Sequence, residues 1–157
     1  MDGVATLIEI RPARPSDAAA IADVFIRSYD SLTFLPRVRT HDDRRGYVRD
    51  VLLVHQEVWV AEEEGRVIGF ASLLGEELSQ LYVDPDAQGR GAGGALLAKA
   101  KERRPGGLTF WVFQQNESAR RFYEARGCRV VRLTDGRRNE EQTPDALYEW
   151  RPTRQAE

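Results

Sequence analysis

Apolar positions fall into two kinds of segment along the chain, short extended stretches and longer stretches with helical spacing. The extended stretches predict strands at 8–12, 58–62, 67–74, 77–83, 108–112, 128–133 and 146–150. Helical spacing, with caps and glycine or proline stops, predicts helices at 17–30, 42–53, 91–101 and 116–126. The order β-α-α-β-β-β-α-β-α-β-β indicates an α/β protein with a mixed sheet and helices on its faces.

Composition narrows the class of protein. A length of 157 residues suits one domain over 1–157. Hydrophobic residues at 41%, charged residues at 31% and a net charge of −2 are typical of a globular protein with no nucleic-acid partner. The single cysteine, Cys128, supplies neither an intrachain disulfide nor a cysteine-based metal site, and we expect no metal. Because residues 1–12 lack a long apolar run, we expect no signal peptide, no membrane partner and a cytoplasmic location.

A glycine-rich segment separates the strand at 77–83 from the next helix. It places Gly89, Gly91, Gly93 and Gly94 within six residues. A nucleotide P-loop would need Lys-Ser/Thr after its last glycine, where this chain has Ala95-Leu96. A dinucleotide fingerprint would follow the first strand of a βαβ unit, whereas this segment follows a middle strand, so that interpretation fails as well. Two interpretations stay open: a flexible turn, and a loop whose bare amides face a pyrophosphate at a helix start.

Three motifs together carry a resemblance to a known family. Q-G-R-G-A-G at 88–93 resembles the Q/R-x-x-G-x-G/A signature of the GCN5-related N-acetyltransferases (GNAT), after the strand LYVDP. NESARRFYEARGC at 116–128 resembles the family's N-x-x-A-x-x-F-Y-x-x-x-G-F segment, with Cys128 in place of the usual aromatic residue. VWVAEEEGRVIGFASL at 58–73 resembles its second and third strands, so the resemblance spans nearly the whole chain.

The resemblance implies a GNAT fold and an enzyme. The expected sheet is twisted and mostly antiparallel, with about seven strands, four helices on its faces, and splayed central strands forming an acetyl-CoA cleft. The implied reaction is acetyl transfer from acetyl-CoA to a primary amine by direct attack in a ternary complex. A non-catalytic acyl-CoA-binding sensor or interaction module is the alternative. Dimerisation is common in the family, so a homodimer is an arrangement that the resemblance allows.

By the same resemblance, the loop amides hold the pyrophosphate of coenzyme A, and a side chain at Gly91 or Gly93 would abut it. The backbone of the strand at 77–83 holds the pantetheine arm and the thioester carbonyl. The expected cofactor-binding residues are Leu81, Tyr82, Val83, Gln88, Gly89, Arg90, Gly91, Ala92, Gly93, Gly94, Asn116 and Arg120. Asn116 is also a natural N-cap for the helix that follows it.

Two residues are candidates for proton transfer. Tyr123 occupies the motif position of the family's general acid, where it would protonate the departing sulfur. Its other interpretation is ordinary packing beside Phe122. Glu77 matches by register the glutamate that serves as base in some family members, and strand alternation would place it on the side of Leu81 and Val83. Glu76 competes for this role.

The segment between the last two strands is polar and acidic. In this family it often shapes the acceptor pocket, and a carboxylate cluster there would suit a cationic amine. That composition leans towards a small amine over a protein N-terminus or lysine, although a solvated surface loop explains it equally well. The candidate acceptor-binding residues are Asn139, Glu140, Glu141 and Asp145.

Overall fold

A computed structural model describes residues 7–152 of the chain. The strands are β1 (Ile8–Pro12), β2 (Glu57–Glu63), β3 (Arg66–Leu74), β4 (Glu77–Val83), β5 (Leu108–Phe113), β6 (Cys128–Leu133) and β7 (Asp145–Trp150). The α-helices are α1 (Ala18–Asp30), α2 (His41–Tyr47), α3 (Leu53–His55), α4 (Ala92–Arg103) and α5 (Glu117–Glu124). Residues 1–6, which belong to the segment expected to contain no signal peptide, lie outside the described residues.

The second predicted helix is a continuous helical run with a wider turn inside it. Thr40 and Asp43 cap its start reciprocally, each accepting a hydrogen bond of 3.0 Å from the other's backbone N–H. The π-helical turn Val48–Leu52 then links α2 to α3, with the N–H of Leu53 reaching back to the carbonyl of Val48. Both Val48 and Leu52 are completely buried, so the run keeps an apolar face against the sheet.

All seven strands form one sheet in the order β1-β2-β3-β4-β5-β7-β6. Neighbouring strands are antiparallel except β4 and β5, which are parallel and in register only where Glu77 faces Thr109. A backbone hydrogen bond of 3.1 Å from Thr109 to Glu76 marks that end. Beyond it the two strands separate. This architecture confirms the predicted mixed sheet with splayed central strands.

Each face of the sheet carries its own hydrophobic core. On one face, α1 and the α2–α3 run bury residues such as Ile21, Phe25 and Phe70. On the other, α4 and α5 bury Leu96 and Tyr123 against the strands. Among residues 7–152, no helix combines the length and apolar character needed to cross a bilayer.

A β-bulge in β4 corrects the expected orientation of Glu77. Ser72 of β3 pairs with Gln80, and the next residue pairs with Leu78, so one residue of β4 is extra. Leu78 therefore joins Leu81 in the core beneath α4, and alternation directs Glu77 to the opposite face. The expectation that Glu77 shares a side with Leu81 and Val83 was wrong, because simple alternation does not anticipate a bulge.

Candidate active site

The splayed strands open a cleft of about 510 Å³ on the α4–α5 side. Most of the residues predicted from the sequence to bind a cofactor meet there. Those that line it are Leu81, Tyr82, Val83, Gln88, Gly89, Gly91, Ala92, Gly93, Gly94 and Asn116, together with Tyr123. The cleft also has walls that sequence reasoning missed, including Ser28 and Leu32 from α1 and its following turn.

The glycine-rich segment presents its backbone to this cleft. Gly89 and Gly91 have φ angles of +82° and +93°, a left-handed conformation that glycine adopts without a steric cost. Gly91 is the N-cap of α4, and the first intrahelical bond runs from Ala95 to Gly91 at 3.0 Å. Within residues 7–152, the amides of residues 89–94 donate no well-formed hydrogen bond to a protein acceptor. These unpaired donors at a helix start fit an anionic diphosphate.

Gly93 and Gly94 have a different reason to be glycine. A Cβ on Gly93 would lie 3.2 Å from the ring of Phe122, and one on Gly94 would lie 3.4 Å from the Nε of Arg126. The absence of side chains thus lets α4 approach α5 closely. The expected contact of a Gly93 side chain with a pyrophosphate needs correction, because that direction is occupied by α5. A side chain on Gly91, by contrast, would meet nothing within 4 Å.

The free edge of β4 offers backbone groups to the gap between β4 and β5. The carbonyl of Val83 accepts hydrogen bonds from Ser28 Oγ at 2.9 Å and Gln88 Nε2 at 3.3 Å, so this residue faces away from β3. The N–H of the next residue, Asp84, turns the other way and bonds Ile68 of β3. Because backbone direction alternates along a strand, the N–H groups of Leu81 and Val83 both point into the gap. There they can polarise a carbonyl oxygen.

Tyr123 stands where the cleft meets this gap. It is only 8% exposed and packs 4.4 Å from the ring of Phe110 and 5.0 Å from that of Phe122. Its side chain lines the cleft and also a smaller hollow of about 100 Å³ between β4 and β5. Burial raises the pKa of the Tyr123 phenol, and the neighbouring Tyr82 adds to the effect. The phenol is therefore protonated at neutral pH.

Asn116 caps α5, since its Oδ1 accepts from the N–H of Ala119 at 3.1 Å. Its side chain also lines the cleft, so both roles expected from the sequence are geometrically compatible.

The arginines near the cleft are arranged differently from the sequence expectation. Arg120 donates to the hydroxyl of Tyr148 at 2.9 Å, and Arg90 pairs with Glu63 at 2.6 Å. Neither side chain lines the cleft, whereas Arg126 does. Its guanidinium lies 4.0 Å above the ring of Phe122. The signal was present in the sequence, because Arg126 shares a helical stripe with Phe122.

Glu77 lies at the closed end of the gap. It is half-buried, at the position where β4 and β5 are still paired through Thr109. It lines neither the cleft nor the smaller hollow. The bulge turns it towards the face that carries α1 and α2.

A second, wider hollow of about 770 Å³ lies beside β5 and the segment between β6 and β7, and we call it the acceptor hollow. Three of its residues, Trp111, Val112 and Phe113, also line the gap between β4 and β5. The acceptor hollow thus shares walls with the gap, which in turn shares Tyr123 with the cleft. Trp111 is 42% exposed, which is unusual for so large an aromatic side chain.

Three of the four polar residues predicted to bind an acceptor line the acceptor hollow, namely Asn139, Glu141 and Asp145. Asp145 is buried and bonded to Thr134 and to the amide of Asn139, so these residues hold the loop together. Glu140 forms an exposed ion pair with Arg39. Glu141 accepts a hydrogen bond of 3.1 Å from the hydroxyl of Tyr29 and lines the acceptor hollow. The three predicted carboxylates therefore do not form one free cluster, because each is engaged by a different protein partner.

The site has the geometry of an acyltransferase: unpaired amides at a helix start, a split parallel strand pair, and a buried phenol where they meet. The family description "Acetyltransferase (GNAT) domain" matches residues 54–129. The peptidyl-lysine N-acetyltransferase YiaC of Escherichia coli (strain K12) is 32% identical over 142 residues, covering 90% of this chain and 95% of that protein. The chain belongs to the GNAT family.

Further relatives agree with this assignment. The peptidyl-lysine N-acetyltransferase YjaB of Escherichia coli (strain K12) is 31% identical over 126 residues, covering 80% of this chain and 84% of that protein. The solution structure of its apo form superposes with a TM-score of 0.77 at 28% identity, covering 94% of this chain and 99% of that one. The fold is also shared with yncA of Salmonella typhimurium, solved with its cofactor acetyl-CoA (TM-score 0.70, 24% identity, covering 96% and 97%).

These findings confirm the prediction of an acetyltransferase with acetyl-CoA as cosubstrate. They lend no support to the alternative of a non-catalytic acyl-CoA-binding module. An amine acceptor follows from the class of enzyme.

Proposed function

We propose that this enzyme acetylates the side-chain amine of lysine residues in polypeptides. The names of YiaC and YjaB, both peptidyl-lysine N-acetyltransferases, support this acceptor. The preference for a small cationic amine rested on a carboxylate cluster. Glu140 is paired with Arg39 and Asp145 is bonded twice within the loop, so Glu141, with one hydrogen bond from Tyr29, is the least engaged carboxylate of the acceptor hollow. A volume of about 770 Å³ beside an exposed Trp111 suits a lysine with the residues around it.

The observation that carries the proposal is the gap between β4 and β5. It shares Tyr123 and Leu81 with the cofactor cleft, and Trp111 and Phe113 with the acceptor hollow. A lysine side chain entering from the acceptor hollow would meet, at this gap, the activated acyl group that acetyl-CoA supplies. Direct attack then needs no covalent enzyme intermediate, because both substrates occupy the site together.

In this proposal the loop amides of residues 89–94 bind the pyrophosphate, and the N–H groups of Leu81 and Val83 orient and polarise the thioester carbonyl. Tyr123 holds a proton beside the sulfur and donates it to the departing thiolate. Its raised pKa keeps the phenol protonated throughout the neutral range. Glu77 stays our prediction for the base. Alternation directs it to the face of the sheet that carries α1, whose Tyr29 contacts Glu141 of the acceptor hollow, and from the closed end of the gap it would draw the amine proton through water.

The test is steady-state acetylation of a lysine-containing peptide, compared with free small amines, by wild type and Tyr123→Phe. We expect the peptide to be the better acceptor. The substitution keeps the ring contacts with Phe110 and Phe122, so acetyl-CoA affinity and the melting temperature should hold while kcat falls by about 10². Tyr47→Phe is a matched control, because its hydroxyl lies on α2 with only a 3.4 Å contact to Gln56.

Wild-type kcat in Tyr123→Phe, measured where chemistry limits the rate, would remove the acid role and leave Tyr123 as a wall of the gap. Acetylation of small amines without any acetylation of the peptide would overturn the proposed acceptor.

A further inference from the structure

A third hollow, of about 350 Å³, lies between α1 and α2 and is rich in arginine. We call it the arginine hollow. Its walls are Tyr29, Asp30, Arg37, Val38, Arg39, Thr40, His41 and Arg44. Nothing in the proposed transfer of the acetyl group uses these residues.

Arg44 is the buried member of this set. The residue is only 6% exposed, and its Cζ lies 3.7 Å from the centroid of the Tyr29 ring and 5.1 Å from that of Phe25. Its Nη2 is buried without a hydrogen-bond partner among residues 7–152. Such a group is costly in a folded protein, because a guanidinium removed from water normally keeps a partner for each N–H. Stacking on Tyr29 stabilises the cation but does not occupy its in-plane donors.

The side chains that line the arginine hollow include three arginines and one carboxylate, that of Asp30. Outside the lining, the carboxylate of Asp43 also lies near Arg39 and Arg44. His41 pairs with the carboxylate of Asp30 at 3.0 Å, and Arg39 pairs with Glu140. Within the described part of the chain, neither Arg37 nor Arg44 is in an ion pair. The hollow therefore contains two unpaired guanidinium groups, one exposed and one buried, and its one carboxylate is engaged by His41.

The arginine hollow and the acceptor hollow are neighbours. Tyr29 lines the first, and its hydroxyl donates to Glu141, which lines the second. The ion pair of Arg39 with Glu140 is a second contact between the wall of the arginine hollow and the loop that borders the acceptor hollow. A polypeptide whose lysine enters the acceptor hollow would thus pass beside the arginine hollow.

We propose that the arginine hollow binds the carboxylate of an acidic side chain close to the target lysine, so that this enzyme prefers lysines with an acidic neighbour. A carboxylate presents two oxygens in one plane, which matches the planar donor set of a guanidinium better than any neutral group. The inference rests on the proposed lysine acceptor and specifies its sequence context. It gives the orphaned donor of Arg44 and the unpaired charge of Arg37 a common ligand.

The test uses peptides that contain one lysine and one glutamate at each of the three positions before or after it. Each peptide has a partner with glutamine in place of the glutamate, and all are blocked at both ends. For wild type we expect the best glutamate peptide to have a KM about tenfold below that of its glutamine partner, as one charge-assisted hydrogen bond predicts, with similar kcat. Arg44→Gln should bring the KM ratio close to one, and Arg44→Lys should restore part of it.

Arg45→Gln is the matched control, since Arg45 is the next residue on α2 and forms an exposed pair with Asp23. It should keep the tenfold ratio. Arg37→Gln, at an exposed position of the same hollow, should lower the ratio without disturbing the core, which keeps the test valid even if Arg44→Gln proves poorly folded.

Equal KM values for glutamate and glutamine peptides at every position, with both acetylated efficiently, would overturn this inference and leave the lysine acceptor intact. Failure to acetylate any peptide would instead overturn the proposed function. The last comparison uses a peptide that ends in lysine, either with a free α-carboxylate or with that carboxylate as an amide. If only that carboxylate lowers KM relative to its amide, the hollow recognises a chain terminus, and the side-chain assignment is wrong.

Discussion

Replacing Gly91 by alanine separates the cost of backbone strain from the loss of a ligand. Gly91 has a φ of +93°, and Gly65, in the turn between β2 and β3, has a φ of +77°. An added Cβ would meet nothing within 4 Å at either position. The free energy of unfolding of each variant is therefore lowered only by the strain of an alanine in a left-handed conformation. That costs roughly 1–2 kcal/mol. At about 2–4 °C per kcal/mol for a chain of this size, each variant should melt roughly 2–8 °C below wild type.

Only Gly91→Ala should also weaken the binding of coenzyme A. Partial relief of that strain by backbone rotation at the N-cap of α4 would lower this cost but turn a neighbouring loop amide away from the pyrophosphate. One lost hydrogen bond to a charged group, worth about 1.5–3 kcal/mol, corresponds to roughly 10- to 100-fold in Kd. Isothermal titration calorimetry with coenzyme A measures this directly. An unchanged Kd in folded Gly91→Ala protein would refute the loop as the pyrophosphate site, and equal weakening in Gly65→Ala would attribute the effect to stability.

Two further predictions use matched residues. Arg126→Gln should raise the KM for acetyl-CoA several-fold, because Arg126 lines the cleft. Arg120→Gln should leave this KM unchanged, because the Arg120 side chain is held by Tyr148. Equal increases in both variants would support the prediction from the sequence that Arg120 binds the cofactor. Hydrogen bonds, of which that from Arg103 has the largest effect, lower the pKa of Glu57 from its usual 4.5 to about 2. The ionised carboxylate therefore stabilises the fold fully above pH 4.5, and this stabilisation is lost as the pH falls towards 2. Melting temperatures between pH 2 and 6 should therefore decline less steeply in Glu57→Gln, and an unchanged slope would contradict the pairing.

Local sequence signals were sufficient for the elements and for bringing most of the predicted cofactor-binding residues to one cleft. The alternation, caps and glycine stops that define strands and helices are encoded within a few residues. The unpaired amides of residues 89–94 depend only on a glycine-rich turn before a helix, and Tyr123 depends on its place in a helical stripe. Resemblance to a family then supplied the chemistry that the residues alone left open.

Other features depend on partners that are distant in sequence. The orientation of Glu77 is set by a bulge in the pairing of β4 with β3, which no pattern within β4 announces. Asp145 and Asn139 look available for a ligand until the folded loop brings them together. The same holds for Arg44, which reads as one polar residue of an amphipathic helix but is stacked on Tyr29 from α1. Charge patterning locates carboxylates and guanidinium groups without saying which are already paired.

The parting of β4 and β5 has a consequence for how the protein holds together. Strands β1–β4 and β5–β7 are two sub-sheets, joined in the ladder by the single register at Glu77 and Thr109. The interior of the protein therefore has a seam, at which local opening costs less than at an ordinary strand pair. A cosubstrate that binds in that seam, as we propose, would supply hydrogen-bond partners that the missing strand pairing leaves out, and would so couple the two halves. The expected sign of this coupling is slower amide hydrogen exchange along β4 and β5 when acetyl-CoA binds. The two sub-sheets should then unfold more cooperatively in the complex with acetyl-CoA than in the free enzyme.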